Sequence, residues 1–148
     1  MTAPEVATMR VSRRAASVQR SRVVTVVLFI AGLVLLGIGG ATLLAPVAFH
    51  ATNGVELGDS RSLLSETRAA GGSLLGAGAL IMLGAFVSRL TFTATVVAAV
   101  TYVSYGLSRL LSMAVDGMPA QGLVLATVVE LVIGLSCAAS LVWRREGE

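Results

Sequence analysis

Apolar positions in this chain do not alternate with polar ones; they run on. Val23 to Phe49 carries no ionisable side chain, Ala69 to Ser88 is a second such run and Leu90 to Ser108 a third. A fourth follows Gly117, is interrupted only by Glu130, and ends at Trp143. About 20 apolar residues cross a ~30 Å hydrocarbon layer as a helix. Ala69 to Val115 is too long for one crossing, because at ~1.5 Å per residue it would reach ~70 Å. It must fold back, and Ser88-Arg89 is the natural corner. Backbone groups in lipid have no water to bond, which leaves helices or closed barrels. Continuous apolar character selects helices. The pattern predicts an all-α, four-transmembrane-helix bundle with spans at about 23–46, 67–88, 90–115 and 119–143. These form one membrane domain, 22–145. The segment ahead of it, 1–21, is a basic tail rich in Ala, Ser and Arg, expected to be disordered or to lie on the membrane surface.

Composition supports the class. Charged residues make up 13% of the chain, where soluble chains average about 25%, and mean hydropathy is +0.87. A soluble globule needs more polar surface than that to cover its core. At 148 residues the chain is one domain. The net charge of +3 raises the question of nucleic acid, but its distribution answers no. Arg10, Arg13, Arg14, Arg20 and Arg22 precede the first apolar run, Arg144 and Arg145 come at the end, and no basic face is interleaved with aromatics. Cys137 is the one cysteine, so no internal disulfide forms, and it reads as a small buried hydrophobe.

Arginine counting sets the direction. The N-terminal tail, the Ser88-Arg89 corner and the C-terminus share one side and carry eight arginines, while the opposite loops carry Arg61 and Arg68, with Arg109 near a helix end. Both termini are therefore expected in the cytoplasm of a bacterial inner (plasma) membrane. Trp143, Arg144 and Arg145 resemble an interface anchor. The basic start and first apolar run also resemble a secretory signal, but 27 uncharged residues exceed a 7–15 residue signal core, so an uncleaved helix is the preferred reading. The twin arginine in "SRRAAS" lacks the apolar positions that would make it an export signal. Within the outer connection His50–Glu66, Asn53-Gly54 is a turn signal, and Ser65-Glu66-Thr67-Arg68 offers acceptors for the free N–H groups opening the second span. His50 stands alone, without a second ligand at metal spacing; it is expected to be solvated, with no metal or cofactor.

Arg109 needs a counter-charge. Counted from Thr91 it lies ~27 Å along its helix, near the outer boundary, with Tyr102 ~16 Å along and Glu130, counted from Pro119, also ~16 Å deep. Tyr102, Tyr105, Arg109, Ser112 and Asp116 step by three or four and make one polar stripe. Thr127, Glu130, Gly134 and Cys137 make another. Glu66 and Arg68 open the second span at the same level, so five ionisable groups converge on the outer half. Two arginines face three acids, and Glu130 is the deepest and least obviously paired. It is expected to be the neutral acid, or to accept hydrogen bonds from Tyr102 or Tyr105, and Glu130→Gln should then leave folding largely intact. Gly72 and Gly76, with Gly134 on the last span, are expected at close helix contacts, within one bundle rather than in a dimer. The plain alternative for the cluster is a buried ion-pair network that registers the helices. That reading is preferred for Glu66, Arg68, Arg109 and Asp116, and the functional one for Glu130 because of its depth. No phosphate loop, nucleophile elbow or zinc signature occurs.

"LLSETRAAGG" (Leu63 to Gly72), "YGLSRLLSMAVDGMP" (Tyr105 to Pro119) and "VVELVIGL" (Val128 to Leu135) together resemble the small bacterial membrane proteins grouped as domain of unknown function 4345. The resemblance runs from the first apolar run to Trp143. It implies a four-helix inner-membrane protein, with Glu66, Arg68, Arg109, Asp116, Gly117, Pro119 and Glu130 as the positions that carry over, and it implies no reaction. The function expected from the residues is non-enzymatic: the polar cluster holds a lipid or small amphipathic ligand, or supports docking to a membrane partner or a second copy. The alternatives are a small proton-linked transporter using Glu130 and, last, an intramembrane isomerase with Glu130 as acid or base.

Overall fold

The computed structural model describes residues 3–145, with side chains over residues 22–143. The described residues are helical throughout, with turns and no strand. Five helices follow in order: α1 (Ala3–Leu44), the short α2 (Pro46–Ala51), α3 (Arg61–Phe86), α4 (Thr91–Asp116) and α5 (Gln121–Arg145). Four segments are long and apolar enough to cross a membrane: Arg22–Leu44, Arg61–Phe86, Ser88–Asp116 and Gln121–Trp143. The tail 1–21, expected to be disordered or to lie on the membrane surface, is helical from Ala3 as the start of α1; its side chains, and those of Arg144 and Arg145 in the anchor reading, lie outside the described residues.

The helices pair as two antiparallel hairpins. In the first, α1 packs along α3 in a register that glycine permits. A Cβ on Gly32 would lie 2.8 Å from Met82 N, one on Gly78 2.8 Å from Leu36 N, one on Gly39 2.5 Å from Leu75 N, and one on Gly71 2.7 Å from Leu43 N. Each helix contributes two glycines seven residues apart, so each pair lies on one face and both backbones come into contact. Leu28, Leu35, Leu74 and Ile81 fill the seam between them. In the second hairpin, Gly106 lies under Leu131, and Gly134 lies under Val103, whose backbone N a Cβ would approach to 2.8 Å.

The hairpins join at the Ser88–Leu90 corner, a single 3-10 turn where the chain was expected to fold back. Thr91 Oγ1 donates to Gly84 O (2.9 Å) across it, and Ala94 fills the space that Gly84 leaves. Deeper in, Tyr102 Oη donates to Ala31 O (2.7 Å), tying α4 to α1. The opposite end carries α2 and the α2–α3 connection. There Asn53-Gly54 turns with Gly54 at φ +72°, Leu57 is buried, and Asn53 reaches Gly122 at the start of α5.

Two boundaries differ from the sequence reading. The first span ends at Leu44, where Ala45 leaves the helix and Pro46 starts α2. α3 begins at Arg61, not at 67; its N-cap is Ser60, whose hydroxyl accepts from Leu63 N, while Thr67 lies inside the helix and donates to Leu63 O. At 26 residues α3 is ~39 Å long, longer than the hydrocarbon slab, so its first turns stand outside the apolar run. Hydropathy marks the slab, not the helix.

The packing glycines also differ. Gly72 and Gly76, expected at a close contact, have open space where a Cβ would point. The face used is Gly71/Gly78, the one that matches Gly39 and Gly32. Gly134 packs as expected. Large apolar side chains are exposed around the whole bundle, among them Leu44, Phe86, Val115 and Leu125. An apolar coat on every side is what acyl chains solvate.

Candidate functional site

α4 and α5 run antiparallel, and that geometry brings Arg109 to Glu130. Side chains on an α-helix lean toward its N-terminus. Arg109 therefore leans back along α4 toward the middle of the bundle, and Glu130 leans along α5 toward the loop end. They meet: Arg109 Nε lies 3.0 Å from Glu130 Oε2 and 3.2 Å from Oε1. This is the one ion pair among the described residues. Its two side chains are 31% and 10% exposed, so the pair belongs to the bundle and not to its surface.

The pairing corrects the expectation for Glu130. Its carboxylate is neither unpartnered nor bonded by tyrosine. Tyr102 turns its hydroxyl to the Ala31 carbonyl, and Tyr105 makes no hydrogen bond among the described residues. On this pairing Glu130→Gln would leave Arg109 without its counter-charge. The wider cluster does not assemble either. Arg68 Nη1 donates to Leu43 O (2.7 Å), meeting a carbonyl left open at the end of α1. Glu66 is exposed, and Asp116, also exposed, accepts from Ser112 (2.9 Å). Past Arg109 the stripe on α4 is exposed, at Ser112 and Asp116. The stripe on α5 stays inward: Thr127, Glu130, Gly134 and Cys137 are all buried. His50, expected to be solvated, is half-buried, and its Nε2 is enclosed without a hydrogen-bond partner.

Between the hairpins, on the loop-end side of the Tyr102–Ala31 bond, lies an open-sided cavity of about 70 Å³. Val34, Leu35 and Ile38 of α1 and Leu74 of α3 form one wall. Thr101, Tyr102, Tyr105 and Arg109 of α4, with Ala126, Val129 and Glu130 of α5, form the other. A second hollow of about 70 Å³ lies nearer the loop end, lined by Arg109, Ser112, Met113, Pro119 and Leu123. Arg109 borders both. It presents Nε to Glu130, while its two terminal nitrogens have no acceptor among the described residues. Arginine carries five N–H donors, so four remain for something else. No sequence signal marked Val34, Leu35, Ile38 and Leu74 as a wall, because apolar residues at a cavity and at a packed seam look alike.

Membrane-long apolar helices, packed in two hairpins around a partly enclosed ion pair, define a multi-pass membrane protein. The chain belongs to the family described as domain of unknown function (DUF4345), which matches residues 23–141. No curated protein and no solved structure matches it.

Proposed function

We propose that this protein is a non-enzymatic membrane protein that holds an amphipathic molecule, with its apolar end between the hairpins and its polar end at Arg109. One observation carries the reading: Arg109 borders both hollows and its terminal nitrogens have no acceptor among the described residues. Neither terminal nitrogen is enclosed, so a polar group entering either hollow can reach them and gain a charge-assisted hydrogen bond. Each hollow is about 70 Å³, small against a site that encloses a whole drug-sized molecule, so it takes the end of a chain and not a whole lipid. With the arginine-rich ends on the cytoplasmic side, the hollows open in the outer half of an inner membrane. Movement of protons through Glu130 is the lesser reading, since both its oxygens are held by Arg109 Nε.

Native mass spectrometry of protein gently extracted from membranes tests this. The wild type should carry a small amphiphile as a discrete mass addition. Leu74→Phe, which fills the cavity from α3, should lose it, and Leu125→Phe on the lipid face should not. A wild type with no adduct across several detergents, or an adduct indifferent to Leu74→Phe, refutes the reading.

A further inference from the structure

Resting on the reading that the hollows hold an amphiphile, we propose that its polar end is an uncharged hydrogen-bond acceptor, an ester, ketone or quinone carbonyl, and not an anion. The site supplies donors. Arg109 has two terminal nitrogens without acceptors, and the Tyr105 hydroxyl at the cavity wall is also without a partner among the described residues. The Glu130 carboxylate is engaged with Arg109 Nε through both oxygens, and the Tyr102 hydroxyl has committed its proton to Ala31 O. A carbonyl, which accepts and does not donate, completes such a set.

Charge points the same way. Glu130 neutralises Arg109, and the next ionic group toward the loop end is another carboxylate, Asp116, held by Ser112 of the second hollow. Arg68, the other arginine of that half, is turned to Leu43 on the first hairpin. An anion at Arg109 would meet a guanidinium whose charge the buried Glu130 carboxylate already offsets, and so would bring net negative charge into the site. A neutral carbonyl meets no such cost and still gains a charge-assisted hydrogen bond.

Two probes of equal chain length separate the cases: methyl palmitate, with a neutral carbonyl, and hexadecyl sulfate, a permanent anion. Binding of each to the full chain in phosphatidylcholine nanodiscs is measured by native mass spectrometry. The ester should bind at least tenfold tighter than the sulfate. Tyr105→Phe, which leaves the ion pair in place, should weaken the ester by about fivefold, the loss of one hydrogen bond. Arg109→Gln with Glu130→Gln, which keeps the site neutral, should weaken it further. Equal or tighter sulfate binding overturns this proposal and leaves the amphiphile reading standing. Ester binding unmoved by both variants overturns it too, as binding elsewhere. If neither probe binds while an endogenous adduct is present, the ligand class is wrong; if neither binds and no adduct exists, both readings fall.

Discussion

Gly39→Ala and Gly76→Ala make the same chemical change on facing helices of one hairpin and should have opposite effects. A methyl on Gly39 would sit 2.5 Å from Leu75 N and 2.8 Å from Gly71 O. Both neighbours are backbone, so no rotamer relieves the clash and the helices must part by about 1 Å to regain ordinary van der Waals distance. A gap of 0.5–1 Å forfeits about a quarter to a half of each dispersion contact, and overpacking of this kind costs about 1–3 kcal/mol. Lipid supplies no hydrophobic force between helices to offset the loss. The better helix propensity of alanine returns up to about 1 kcal/mol, leaving Gly39→Ala destabilised by up to about 2 kcal/mol. At Gly76 a methyl meets nothing within 4 Å, so only the propensity gain remains. The propensity gain is common to both, so the pair should differ by the overpacking cost, about 1–3 kcal/mol. Unfolding in mixed micelles against increasing mole fraction of sodium dodecyl sulfate, followed by circular dichroism, reads the difference directly. Equal midpoints, or a Gly76→Ala that unfolds first, would show that α1 and α3 do not meet on the Gly39/Gly71 face.

Arg109→Leu leaves Glu130 without its counter-charge and should cost about 3 kcal/mol, the usual cost of breaking an enclosed pair. Arg109→Leu with Glu130→Leu should recover most of that loss in the same assay, and failure to recover would show that the pair does more than neutralise itself. Tyr102→Phe removes the hydroxyl that bonds Ala31 O and should cost about 1 kcal/mol; a change below ~0.3 kcal/mol would mean this bond does not hold the hairpins together. Reporter domains fused to either terminus should be active only in the cytoplasm. Activity of either fusion on the far side would invert the orientation drawn from the arginines.

Much of the fold was legible because lipid restricts what a chain can do. Uninterrupted apolar runs had to be helices, and Ser88-Arg89 between two runs had to be the turn. That Arg109 and Glu130 turn inward followed from the same constraint, and so did the buried stripe Thr127, Glu130, Gly134 and Cys137. Their pairing was missed because counting charges by depth set Glu66 and Asp116 beside Arg109 as well. The antiparallel lean of side chains, which decides who reaches whom, was left out of the count. The choice between Gly72/Gly76 and Gly71/Gly78 also turned on a partner. "GGSLLGAG" holds glycines on both faces, and only the matching seven-residue interval of Gly32 and Gly39 on α1 selects between them. The start of α3 at Arg61, capped by Ser60, lies beyond the apolar run, where hydropathy has no say and only the hydroxyl cap does.

Both members of the ion pair belong to α4 and α5. Neither has a counter-charge on the first hairpin, so the second hairpin can enter the bilayer already electrically balanced. An isolated α4 or α5 would each leave a bare charge within the membrane, at about 3 kcal/mol or more apiece. The two helices are thus bound to insert as one unit, whereas α1, uncharged from Val23 onward, can cross alone. Cutting the chain in the 117–120 connection should therefore harm assembly far more than cutting it between α2 and α3.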